Sequence, residues 1–155
     1  MSLEKVQDYF DSCQMKERIQ VFSQSSATVE LAAKAVGCEP ARIAKTLSFF
    51  QEEQAVLIVT AGDVKIDNPK YKARFHQKAK MIPGELVESY VGHAPGGVCP
   101  FAVKEGVPVY LDESLRRFET VYPAAGSGNS AIGLTIAELE THSKTCGWVD
   151  VCKAT

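Results

Sequence analysis

The run Val91-Gly92-His93-Ala94-Pro95-Gly96-Gly97-Val98-Cys99-Pro100-Phe101 constrains this chain more than any other. Three glycines permit backbone conformations closed to other residues, while two prolines stiffen the flanks. A run of that kind cannot continue a helix or a central strand, so it divides the chain into elements before it and elements after it. It can also aim main-chain N–H groups at an anion or a developing oxyanion, although a tight corner needs the same residues.

The elements on either side follow from periodicity and punctuation. Leu3, Val6, Phe10 and Cys13 recur at helical spacing, predicting an amphipathic helix from Ser2 to about Gln20. A second helix begins near Ser26 or Thr28, buries Val29, Ala32, Ala33 and Val36, and stops at Gly37. Pro40 opens a short helix to Ala44. The β-rich runs Leu47–Phe50 and Ala55–Thr60 make a hairpin about Gln51-Glu52-Glu53-Gln54. Asp67 or Asn68 with Pro69 starts a basic helix to about Phe75, and Glu85–Tyr90 forms another that ends at Gly92.

Beyond the glycine-rich run, Val107–Leu111 reads as a strand, Leu115–Phe118 as a helical turn and Thr120–Ala124 as extended chain. Gly126-Ser127-Gly128-Asn129 turns into a strand at Ala131–Leu134. Thr135 and Glu138 have capping-box spacing for a helix through about Lys144, and Gly147 precedes a last strand at Trp148–Cys152. No linker or repeat interrupts the alternation. The expectation is one mixed α/β (α+β) domain over residues 1–155, large enough for a true apolar core.

Composition removes several classes of function. No apolar run approaches the roughly 20 residues of a membrane span, and no basic-then-apolar leader is visible, so the expected setting is cytoplasmic. Met1-Ser2-Leu3 is given no functional weight. Five cysteines at scattered spacing match neither a disulfide framework nor a zinc site, so no metal or cofactor is expected. A formal net charge of −2 gives no general attraction to DNA. The charge is uneven, however: Lys65, Lys70, Lys72, Arg74, Lys78 and Lys80 face a single acid, Asp67, between residues 65 and 80. Such a run is either a solvated helix face or a local contact for nucleic acid, with Lys65, Lys70 and Lys72 as candidates.

Ile43-Ala44-Lys45-Thr46-Leu47 and the Gly-x-x-x-Gly-Gly-x-x-Pro-Phe run from Gly92 to Phe101 together resemble the YbaK/ProX family. These are free-standing relatives of the editing domain of bacterial prolyl-tRNA synthetases. Ala125-Gly126 followed by Ile132-Gly133-Leu134-Thr135 also looks family-like, and the order of elements fits from about Ser25 to Asp150. The resemblance implies a mixed, barrel-like β-sheet surrounded by helices. It also implies a hydrolase, an aminoacyl-tRNA deacylase that cleaves the ester of mischarged tRNA in trans, with tRNA(Pro) carrying Cys or Ala as the expected substrate. Its partners would be the acceptor end of that tRNA and prolyl-tRNA synthetase, with no membrane or DNA. Cys99 departs from the family, where Ser or Thr is common, and this puts the amino-acid specificity in question.

On that resemblance Lys45 is the characteristic lysine, able to hold a phosphate or ribose or to polarise the carbonyl; otherwise it is a solvated residue at the start of a strand. Main-chain N–H groups around Gly96, Gly97 and Val98 would stabilise the oxyanion. Thr46, Phe49, Gly92, His93, Cys99, Pro100, Phe101 and Gly126 are candidates for binding the substrate. Phe49, Val98 and Phe101 serve equally well as core. His93 is a candidate general base or a hydrogen-bonding loop residue, and with Cys99 it could form a nucleophile and base. The preferred reading has no covalent intermediate. Two alternatives remain: a non-catalytic module that binds tRNA or a synthetase, and a hydrolase of small esters using Cys99.

Overall fold

A computed structural model describes residues 2–155; Met1, part of the expected domain, lies outside them. Helix α1, Ser2–Ser12, buries Val6 and Phe10 completely. It is shorter than expected. Gln14 takes a φ of +60°, and Ile19–Val21 forms strand β1 instead of a helical continuation. The reason is tertiary: β1 pairs antiparallel with β7, Ser130–Ile132, a partner that local periodicity cannot reveal.

Helix α2, Val29–Val36, has the expected ends. The Thr28 hydroxyl accepts from the Leu31 N–H at 3.2 Å, and Gly37 closes the helix with φ +85°. Strands β2, Ile43–Gln51, and β3, Gln54–Ala61, form the expected hairpin in antiparallel register, Gln51 opposite Gln54. The short helix expected over Pro40–Ala44 shrinks to a 3-10 turn at Pro40–Arg42. Ile43 and Ala44 are drawn into the sheet by β6, Thr120–Pro123.

The remaining elements are β4, Val64–Ile66; α3, Asn68–Phe75; α4, Gly84–Val91; β5, Val109–Asp112; β8, Leu134–Thr135; α5, Ile136–Ser143; β9, Gly147–Val149; and β10, Cys152–Ala154. Asp67 caps α3, and Thr135 with Glu138 caps α5 as a complete capping box. One strand was expected at Trp148–Cys152, but two form. The buried Asp112 carboxylate accepts the Val151 and Ser114 N–H groups, both at 2.9 Å, and pins a bend between β9 and β10.

A curled, half-barrel sheet runs β8-β6-β2-β3-β5-β9 and mixes parallel with antiparallel pairs. Two small ribbons, β1-β7 and β4-β10, flank it. This is the mixed barrel-like architecture with surrounding helices that the sequence led us to expect. Its core joins Leu57, Ile58 and Val59 of β3 to Phe10, Phe101, Leu111, Leu115 and Leu139. Among the described residues no helix is long and apolar enough to cross a membrane.

Candidate active site

The candidate site lies where two strands part. The parallel ladder between β2 and β6 covers only Ile43 with Tyr122 and Ala44 with Pro123. Further along β2, the Phe50 N–H donates to the Lys80 carbonyl at 2.8 Å, and the Ser48 carbonyl accepts from the Ile82 N–H at 3.1 Å. Main-chain groups alternate in direction along an antiparallel strand, so those of Thr46, like those of Ser48 and Phe50, turn away from β3. They face the gap left between β6 and the Lys80–Ile82 segment. The Thr46 Oγ1 is buried and has no hydrogen-bond partner among the described residues.

A cavity of about 290 Å³ occupies this region. Lys45, Thr46 and Leu47 of β2 line it, with Ser26–Val29 at the start of α2, Tyr122 and Ala124 beside β6, Ser130 and Ala131 of β7, and Gly96 and Val98. The glycine-rich run reaches it through a tight turn. The Gly97 N–H donates to the Ala94 carbonyl at 3.0 Å, and Gly96 has φ +88° directly after Pro95, the arrangement of a type II turn. Gly97 is thus corrected as an oxyanion donor, because its N–H is already engaged. The N–H groups of Gly96 and Val98 have no acceptor among the described residues, and both residues line the cavity.

Lys45 is half-buried, and desolvation lowers its ammonium pKa below the ordinary lysine range. Cys152, Asp63 and Glu30 oppose that shift only through longer-range attraction. Its hydrogen-bond partner is neutral, the Val64 carbonyl on β4. Among the described residues no carboxylate forms a contact ion pair with it, whereas Arg18, Lys70 and Arg117 each have one. A cation desolvated without a counter-ion attracts an anion that enters the cavity.

Several candidates lie elsewhere. His93, Cys99 and Phe101 are fully buried and do not line the cavity. The structure does bring His93 and Cys99 together, Sγ to Nε2 at 3.6 Å, but both turn inward to the Phe101 carbonyl. Burial pushes the Cys99 thiol up to about 12 and lowers His93, so the pair is neutral and shielded from substrate. Phe49 is core, its ring 5.1 Å from that of Tyr71. Gly92 terminates α4 with φ +97°. Pro100 borders a different hollow, beside Tyr9 and His142.

Gly126 does not line the cavity but braces it. A Cβ on Gly97 would lie 2.8 Å from the Gly126 carbonyl atoms, so the two glycine loops stack backbone against backbone. Of the basic candidates, Lys65 and Lys72 are exposed without a carboxylate partner among the described residues. Lys70 bonds the Asp150 carboxylate at 3.1 Å and the Cys152 carbonyl at 3.0 Å. Sequence reasoning missed Ser26, Thr28, Tyr122 and Ser130 as lining residues. Small hydroxyl residues and a tyrosine carry no spacing signal, and only the pairing of β1 with β7 and of β2 with β6 collects them.

A family model for the aminoacyl-tRNA editing domain matches residues 23–141, a span that holds every residue lining the cavity. The chain belongs to this family. Within it, the chain is 50% identical to YwhH of Bacillus subtilis over 155 residues, covering 99% of this chain and 98% of that one. It is 27% identical over 144 residues to EbsC of Enterococcus faecalis, named as a candidate Cys-tRNA(Pro)/Cys-tRNA(Cys) deacylase, with 86% and 88% covered. A crystal structure described as a candidate trans-editing enzyme for prolyl-tRNA synthetase superposes with a TM-score of 0.87 at 27% identity, covering 99% and 98% of the two chains. These likenesses place the chain in the YbaK branch of aminoacyl-tRNA editing proteins.

Proposed function

We propose that this chain is an aminoacyl-tRNA deacylase that acts in trans on mischarged tRNA, most specifically tRNA(Pro) bearing cysteine or alanine. The observation that carries the reading is the cavity itself. Lys45, half-buried and without a contact carboxylate among the described residues, lines one small space with Gly96 and Val98, whose N–H groups have no acceptor among the described residues. That set suits an ester at the end of a polyanion. The amides would accept the carbonyl oxygen as it gains charge, and the ammonium would hold the terminal phosphate or ribose.

Attack comes from water or from a group of the substrate itself. The new bond, C–O for water or C–S for a cysteine thiol of the substrate, forms as the tetrahedral oxyanion rests on the amides. The bond to the ribose oxygen then breaks, and that oxygen takes up the proton lost by the nucleophile and leaves as the hydroxyl of the tRNA. Cys99 takes no part, since it is buried away from the cavity. The names of EbsC and of the matching crystal structure support tRNA(Pro) and prolyl-tRNA synthetase as substrate and partner. Residues 1–155 would act as one cytoplasmic unit, with the exposed Lys65 and Lys72 meeting the acceptor end.

Deacylation of a panel of mischarged tRNAs tests the reading. Wild-type protein should hydrolyse Cys- or Ala-tRNA(Pro), and Lys45→Ala should lose roughly 10- to 100-fold, the scale of one hydrogen bond to a charged group. Hydrolysis of none of the panel would leave a binding module of this fold. Hydrolysis undiminished by Lys45→Ala would take the lysine out of the site.

A further inference from the structure

We propose that Lys65 and Lys153, directly opposite each other on the β4–β10 ribbon, form a clamp for one backbone phosphate of the tRNA. The inference deepens the deacylase reading and rests on it for the identity of the RNA. The register sets Lys153 against Lys65, between the pairs Cys152–Ile66 and Ala154–Val64. The Asp67 N–H donates to the Val151 carbonyl at 2.8 Å, and the Thr155 N–H to the Asp63 carbonyl at 3.3 Å. Hydrogen-bonded pairs recur at every second residue of an antiparallel ladder. Lys65 and Lys153 are therefore such a pair, with Cα atoms about 5.5 Å apart. Their side chains leave the same face of the ribbon. Val64 and Cys152, on the other face, are buried, whereas both lysines are exposed.

Like charges directly opposite on a ribbon are destabilising, so this pairing calls for a counter-ion. The acids nearest in the chain are committed elsewhere. Asp63 binds the Arg117 guanidinium at 3.0 Å, and Asp150 binds the Lys70 ammonium at 3.1 Å. Asp67 caps α3 by accepting the Lys70 N–H at 3.2 Å. Neither Lys65 nor Lys153 has a carboxylate partner among the described residues. A phosphodiester has one negative charge spread over two non-bridging oxygens. Held between the two ammoniums, it replaces their repulsion with two charge-assisted hydrogen bonds. The ribbon also adjoins the cavity, because the Lys45 ammonium donates to the carbonyl of Val64, the residue before Lys65. An RNA whose end enters the cavity thus passes the clamp close to Lys45.

The test titrates deacylated tRNA(Pro) against the full-length protein over a range of salt, with thermal unfolding measured in parallel. Lys65→Gln and Lys153→Gln should each reduce the slope of log affinity against log salt by about 0.7–0.9, and weaken binding roughly 5- to 8-fold near 0.1 M salt. Neither should lower Tm, since each removes a like-charge contact. Lys153→Glu places a carboxylate opposite Lys65. It should raise Tm and lose both phosphate contacts, a slope change of about 1.4–1.8. An unchanged slope for either lysine, weaker binding that accompanies a fallen Tm, or no binding by the wild type would overturn the proposal. Loss of the deacylase reading has a separate signature: the slope changes appear on deacylated tRNA(Pro), yet no mischarged tRNA is hydrolysed.

Discussion

Gly97 lies so close to Gly126 that a Cβ at residue 97 would sit 2.8 Å from the Gly126 carbonyl carbon and oxygen and 2.7 Å from the Ser127 Cα. Those neighbours are backbone and cannot swing aside. Gly97→Ala should therefore push the two loops apart and move Gly96 and Val98 together, costing about 1–3 kcal/mol as an overpacking change. Thermal unfolding and deacylation should both fall. Gly128→Ala is the control, because its Cβ would meet Ala27 at an ordinary 3.7 Å. A Gly97→Ala protein with unchanged Tm and turnover would contradict the stacking.

Cys99 tests whether proximity to a histidine makes a nucleophile. Its thiol is held at about 12 by burial, so alkylation of the folded protein at mildly alkaline pH should modify the exposed Cys146 and spare Cys99. Turnover should survive that treatment. Cys99→Ser should lower Tm, since a hydroxyl replaces a thiol in the core, yet retain most deacylation. Loss of turnover at unchanged Tm would make Cys99 a participant in the chemistry.

The basic stretch divides by its partners. Lys72 is solvated, so Lys72→Ala should weaken tRNA binding and reduce the slope of log affinity against log salt by about 1. Lys70 is tied to Asp150 and the Cys152 carbonyl. Lys70→Ala should leave the slope unchanged and instead loosen the α3–β10 contact. Equal effects of the two substitutions on the slope would remove the distinction.

Glu138 sets an acid limit on stability. The Arg18 guanidinium holds its carboxylate at 2.8 and 2.9 Å, the Thr135 N–H adds a bond at 2.9 Å, and its pKa falls to about 2 from the ordinary 4.5. A carboxyl depressed on folding stabilises fully above its unfolded pKa and loses that contribution as pH drops through the folded one. The Tm gap between wild type and Glu138→Gln should thus be widest above pH 4.5 and close towards pH 2. A gap independent of pH would mean that the bond geometry, and not the charge, matters.

Features that depend on neighbours within one turn of chain were legible in advance. Thr28, Asp67 and Thr135 cap their helices through hydroxyl or carboxylate groups that reach an amide three residues on. Gly37 and Gly92 stop helices because their positive φ is open to glycine. Lys45 and Gly96, each named from a sequence motif, line one cavity. Strands β1 and β4 escaped notice, since three-residue strands owe their form to β7 and β10, remote in sequence.

The amino-acid order by itself determined the caps of α2, α3 and α5, the turn in which Gly96 follows Pro95, and the likeness of the Lys45 and Gly92–Phe101 motifs to one family. Tertiary structure alone decided which groups are free to act. It turned His93 and Cys99 onto the Phe101 carbonyl and left the Thr46 Oγ1 and the Val98 N–H without a partner among the described residues. The physical reason is that a hydrogen-bonding group acts on a ligand only if folding has not already given it a partner. That outcome depends on residues far apart in the chain, such as Thr46 and Ala124, meeting in space or failing to meet.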